Sequence, residues 1–163
     1  MNRLGRLTLA TTLVALLAAC NHPANSDVSK APSGPAKPAA TADENTWGNY
    51  LAEQGKLNGK DVGMRPYIYV IPSGDSIPAN ARRQNETESV VHSIGPILMP
   101  GGMLIVGGPD AKQTTAFLGD VAKQLKADAL RGVVVMVVSD VSEQPAVTST
   151  LKASGATVRF VTM

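Results

Sequence analysis

The chain has 163 residues, with 15 Lys and Arg against 13 Asp and Glu. Two of the basic residues, Arg3 and Arg6, stand ahead of residue 20, and all the acids follow it, so the chain from residue 20 onward carries 13 charges of each sign. That balance leaves no net basic field for phosphates and argues against general nucleic-acid binding. A single cysteine, Cys20, excludes an internal disulfide and a multi-thiolate metal site.

Met1 to Arg6 is a short basic segment, and Leu7 to Ala18 is apolar apart from Thr8, Thr11 and Thr12. About a dozen residues suit the apolar region of an export signal, whereas a spanning helix needs ~20. The stretch ends in Leu17-Ala18-Ala19-Cys20, a Leu, two small residues and a cysteine. This ending resembles the lipobox of bacterial lipoproteins, over residues 1–20 only. The resemblance implies that 1–19 are a removable signal and that Cys20 becomes the lipid-modified first residue. Acyl chains there would anchor the chain to a membrane, since stable attachment needs more than one chain. Asn21 stands where Asp would mark inner-membrane retention, so the resemblance favours the outer membrane, with the domain facing the periplasm. With its thiol acylated, Cys20 leaves no cysteine nucleophile.

Residues 20–45 are then the lipidated cysteine and a tether. The segment is rich in Ala, Pro, Ser and Asn and poor in large apolar side chains, so it reads as disordered. Residues 46–163 make one domain of ordinary size.

Within it, Thr46 reads as the cap of a short helix to Gln54, with Trp47, Tyr50 and Leu51 on one face. Gly55 to Gly63 reads as a loop. Tyr67–Ile71 is a strand, ended by Pro72-Ser73-Gly74-Asp75. Pro78–Ile94 is a predicted helix whose first half is polar all round. Met103–Val106 is a strand ended by Gly107-Gly108. Pro109 to about Ala129 is helical, with Thr114, Phe117, Leu118, Val121 and Leu125 on one face. Val133–Val138 is a continuous apolar strand. Ser142 reads as the cap of a helix to Ser154, stopped by Gly155. Ala156–Val161 is a last strand whose alternation suits an edge.

The middle strands are apolar on both faces, and strands alternate with helices at crossover length. The expected fold is therefore α/β: a small three-layer domain with a mostly parallel sheet of about four strands and helices on both faces.

In open parallel sheets ligands bind beyond the strand carboxyl ends. Asp75, Asp110 and Asp140 would lie there, one per loop. Together they could hold a divalent cation, and Gly107-Gly108 could bring backbone amides to an anion. The plainer reading is that Asp and Ser before helices are caps and that Gly serves tight turns. Gly108-Pro109-Asp110-Ala111-Lys112-Gln113-Thr114 lacks the second glycine before Lys112, and Gln113 stands where a phosphate loop has Ser or Thr. His92 is the only histidine of the domain and reads as a partly buried structural residue; His22 lies in the tether. No zinc spacing or nucleophile elbow is present, and no cofactor is implied. Arg82-Arg83 with Glu86 and Glu88 reads as a solvated helix face. The segment Ile94 to Gly102 is unusually apolar for a loop, so Ile97 and Leu98 either tuck under the sheet or form a contact surface for another envelope protein.

Two functional expectations follow. One is a membrane-anchored lipoprotein whose domain binds another envelope component. The other is a small enzyme or a ligand- or metal-binding domain working at the strand carboxyl ends.

Overall fold

The computed structural model describes residues 34–163, apart from Gly95. The signal, Cys20 and most of the tether lie outside the described residues.

The apolar runs become four strands: β1 (Tyr67–Val70), β2 (Met103–Gly107), β3 (Val134–Ser139) and β4 (Thr157–Thr162). They form one all-parallel sheet in the order β1-β2-β3-β4. The helices are α1 (Glu44–Asn58), α2 (Ile77–Ser93), α3 (Ala111–Gln124) and α4 (Gln144–Leu151). This is the expected three-layer α/β domain.

Side chains alternate across each strand, so β2 and β3 feed two cores. Leu104, Val106, Val135 and Val137 pack with Val90 of α2, Phe117 of α3 and Val147 of α4. Met103, Ile105, Met136 and Val138 pack with Trp47, Tyr50 and Leu51 of α1. Three helices thus cover one face and α1 alone covers the other. Sequential strand order with every crossover on one face is what a single crossover hand produces.

The first helix differs from expectation at both ends. Its cap is Asp43, whose carboxylate accepts from the Thr46 amide at 2.7 Å, and not Thr46. That hydrogen bond also holds the Asp43 carboxyl below its ordinary value. The helix continues through Gly55 to Asn58, where a loop was expected. Gly55 serves packing: a Cβ there would lie 2.5 Å from Ile105 Cδ1. Ahead of the helix, residues 34–43 lie against the domain. The Trp47 indole donates to the Ala39 carbonyl at 3.3 Å, and Lys37 reaches Asp140 at 3.4 Å.

The polar first half of α2 is helical after all. Ser76 caps it by accepting from the Ala79 amide at 3.3 Å, and Pro78 sits in the first turn. Arg83 then ties the helix to the preceding turn, donating to the Pro72 and Gly74 carbonyls at 2.8 Å each. Ser142 does not cap α4; it lies in a 3-10 turn, Val141–Glu143, that follows Asp140. Gly155 ends the helical region with φ +74, as a left-handed C-terminal stop requires.

A further ion pair joins distant parts of the chain. Arg159 of β4 grips both oxygens of Asp61 at 2.8 Å each and also donates to the Asn58 carbonyl. The guanidinium holds the Asp61 carboxyl at about 2. A depressed carboxylate contributes stability above its unfolded value, near 4, and loses it as pH falls through the folded value. Thermal midpoints should therefore decline between about pH 4 and pH 2, and Asp61→Asn should flatten part of that decline. A pH profile unchanged by Asp61→Asn would remove the pair from the stability of the loop.

Candidate functional site

The strand carboxyl ends are the first place to look, because three aspartates and two glycines were expected to converge there. Asp110 caps α3: its carboxylate accepts from the Gln113 amide at 3.1 Å. Asp75 is highly exposed, takes a hydrogen bond from the Gln113 side-chain amide at 3.0 Å, and lies 3.6 Å from Arg83. Gln113 therefore links Asp75 and Asp110. Asp140 makes no capping bond and is paired with Lys37 instead.

Two of the three carboxylates thus share Gln113, and the third is taken up by Lys37. Among the described residues, no group of three His, Cys, Asp or Glu side chains could hold a metal ion.

The two glycines are spent on close packing. A Cβ on Gly107 would lie 2.7 Å from Leu51 Cδ2 and 2.8 Å from the Val138 carbonyl oxygen. A Cβ on Gly108 would collide with the Ile71 carbonyl oxygen. The strand order also lacks a reversal, so it has no switch point of the kind at which helices diverge to opposite faces and open a crevice.

The role of Asp110 has a direct test. Replacing a capping Asp by Ala costs about 1 kcal/mol, while Asn caps equally well. Asp110→Ala should lower stability by about 1 kcal/mol and Asp110→Asn by only a few tenths, read by urea unfolding. Equal losses would mean that the carboxylate charge does more than cap.

Other polar groups are accounted for in the same way. His92 is exposed, not partly buried; its Nδ1 donates to the Glu88 carbonyl at 2.7 Å. Arg82 pairs with Glu44 and reaches Glu86 at 3.8 Å, so the expected solvated face also fastens α2 to α1. Thr115 donates to Glu143 at 2.7 Å and joins α3 to the turn after β3. Neither contact had a sequence signature, since the partners lie 38 and 28 positions apart. Ser139 is buried and its hydroxyl finds no partner among the described residues. Among the described residues no base is hydrogen-bonded to it, the contact that would activate it as a nucleophile.

The better-formed concavity follows the other side of β1. This strand pairs only with β2, so its outer edge is open. The Ile71 amide donates to the Gly107 carbonyl at 2.8 Å. Successive residues of a strand turn their backbone groups to opposite sides, so Tyr67, Tyr69 and Ile71 face β2. Ile68 and Val70 therefore present N–H and C=O outward.

Three cavities line this edge. The largest, about 760 Å³, lies where β1 begins and is bounded by Ala52, Gly55, Val62, Met64, Tyr67 and Ile68. The next, about 400 Å³, shares Ala52 and Ile68 with it and adds Gly48, Asn49 and Val70. The third, about 220 Å³, shares Glu44 and Val70 and reaches Pro72. Small residues on α1 make the room: a Cβ on Gly48 would touch only Val70, at 3.8 Å. Strand β4 is also an edge, as expected, but it carries Arg159, a charge of the sort that blunts edges. Strand β1 is Tyr-Ile-Tyr-Val, without a charge.

Compared with known families, curated proteins and solved structures, the chain matches none.

Proposed function

We propose that the chain is a lipid-anchored protein of the bacterial envelope whose domain binds another envelope component by strand addition at the open edge of β1. The anchor rests on Leu17-Ala18-Ala19-Cys20 after a short apolar run, and Asn21 favours the outer membrane with the domain in the periplasm.

The observation that carries the binding reading is the uncharged outer edge of β1, with Ile68 and Val70 free to pair and a trough beside them. An added strand would gain main-chain hydrogen bonds, and the pockets would sort its alternate side chains. The rival reading, a ligand or metal at the strand carboxyl ends, draws no support from carboxylates already taken up by Gln113, Arg83 and Lys37. The short length of β1 and the prolines at either side, Pro66 and Pro72, limit the addition to about four residues and to one register.

A photoreactive side chain at exposed Asn49, in the lipidated chain in living cells, should give a discrete crosslinked adduct. The same group at Lys112, on the opposite side of the domain, should not. Ile68→Pro removes one outward donor and leaves the β1–β2 bonds in place, because proline is tolerated on an edge. Loss of the Asn49 adduct in Ile68→Pro, with circular dichroism unchanged, is the expected result. No adduct, or an adduct that persists in Ile68→Pro, would reject strand addition. The anchor has its own readout: Cys20→Ser should abolish acylation and membrane fractionation.

A further inference from the structure

We infer that the rim at the strand amino ends lies against an anionic lipid surface. This rests on the lipid-anchored reading above and adds the side of the domain that meets the membrane.

In an all-parallel sheet, the loops that lead from helices into strands share one rim. They follow α1, α2, α3 and α4, and each leads into the next strand. The exposed large apolar side chains of the described residues divide unevenly between the two rims. Leu57, Met64, Tyr67, Ile97 and Met99 lie toward the amino-end rim, against Ile77 and Val141 at the other.

The loop after α2 shows that this is built. Leu98 is buried at 3 %, while Ile97 and Met99 on either side are 45 % and 46 % exposed. The loop is pinned: the Ile97 and Leu98 amides donate to the Ser93 carbonyl at 3.0 and 2.8 Å. A bond from the Gly102 amide to the Met99 carbonyl at 2.9 Å closes its far end. Two apolar side chains are therefore held out on an ordered loop. Of the two residues expected to tuck under the sheet, Leu98 does so and Ile97 does not.

Charge points to the same rim. Lys60, Arg65, Lys126 and Lys152 lie there exposed, and none belongs to an ion pair of the described residues. The acids there, Asp61 and Asp128, are taken up by Arg159 and Arg131. The opposite rim carries Asp43, Asp75, Asp110 and Asp140. Helix dipoles favour acids at helix starts and bases at helix ends, so part of this polarity follows from the fold. The dipole does not account for Ile97 and Met99 in water. Apolar tips among unmatched cations fit an interface of anionic headgroups over acyl chains.

The path of the chain agrees. Gly34, the first described residue, sits beside the last turn of α1, where a Cβ would lie 3.6 Å from Leu57 Cδ1. Thirteen residues, 21–33, separate it from Cys20. At ~3.5 Å per residue they reach about 45 Å at most. A domain of this size is roughly 35 Å across, so the rim where the chain enters is within reach of the surface that holds the anchor.

The test uses the mature lipidated chain in vesicles of phosphatidylethanolamine and phosphatidylglycerol containing a headgroup-nitroxide lipid. With Cys20 acylated, a reporter cysteine is the only free thiol. A fluorophore at Met99→Cys, and separately at Ile97→Cys, should be quenched at least threefold more than one at Ile77→Cys. Lys60→Glu with Lys126→Glu should reduce that difference. Equal quenching at the two rims in a chain that floats with the vesicles would overturn the orientation and leave the anchor standing. A Cys20 without acyl mass would overturn both.

Discussion

Gly108→Ala should cost more than about 3 kcal/mol, a large part of the 5–15 kcal/mol that holds a domain of this kind together. The added methyl would meet the Ile71 carbonyl oxygen and lie 3.1 and 3.2 Å from the carbonyl carbon and amide nitrogen of the same residue. These are backbone atoms and cannot swing aside as a side chain would. Ile71 is fully buried, and its amide closes the β1–β2 ladder on Gly107 at 2.8 Å. Relief therefore requires β1 to move off β2 at the end where the trough finishes. The companion change Gly119→Ala should do the opposite. Nothing lies within 4 Å of a Cβ at Gly119, in the middle of α3, so alanine should stabilise by about 0.5–1 kcal/mol. Urea unfolding followed by circular dichroism measures both. The comparison also separates two roles for the glycine pair. If Gly107 and Gly108 served to cradle an anion, Gly108→Ala would keep its midpoint and lose only ligand binding. A midpoint within about 0.5 kcal/mol of the parent would refute the packing argument.

What could be read from residues alone divides by the range of the interaction. Runs such as Val133–Val138 state their burial directly, and the caps Asp110 and Gly155 are local chemistry; both were legible. The two-sided apolar pattern of the middle strands fixed the three layers. Gly55 misled because a glycine in a helix pattern looks like a breaker, and the side chain that needs it, Ile105, is fifty residues away. The polar turns of α2 looked doubtful because their support is also non-local: Arg83 on the Pro72 and Gly74 carbonyls, and Arg82 on Glu44. Ser142 carried the right chemistry for a cap but lies inside the 3-10 turn, Val141–Glu143, through which the chain leaves β3. The candidate site was the least legible part. Asp75, Asp110 and Asp140 were placed at the correct rim, but what each carboxylate grips is a tertiary fact. The open edge of β1 depends on strand order, which no single segment encodes.

Trp47→Ala should have an effect of similar size, about 3–5 kcal/mol, for a reason specific to this layer arrangement. One helix alone covers the second face of the sheet, and Trp47 is its largest buried side chain, 1 % exposed. Its ring meets Tyr50 edge-on at 5.8 Å and 88°. Such a pair adds about 0.5–1.5 kcal/mol beyond burial. The indole also donates to the Ala39 carbonyl, so the residue fastens the segment before α1 as well as α1 itself. On the other face, three helices share the load and neighbours can close part of a cavity. Here Leu51 and Tyr50 are the only other large apolar side chains that the helix buries, and no second helix covers this face. The chain has one tryptophan, so its fluorescence reports this face in the parent protein and circular dichroism must follow the variant. Hydrogen exchange should show the α1 amides losing protection first, while α3 amides retain theirs until global unfolding. A fall of less than about 1 kcal/mol, or equal loss of protection in α1 and α3, would show that the second face does not depend on this residue. Partial loosening of α1 would also widen the trough between Gly48, Ala52 and β1. The same variant should therefore weaken the Asn49 adduct even at temperatures where the sheet remains folded.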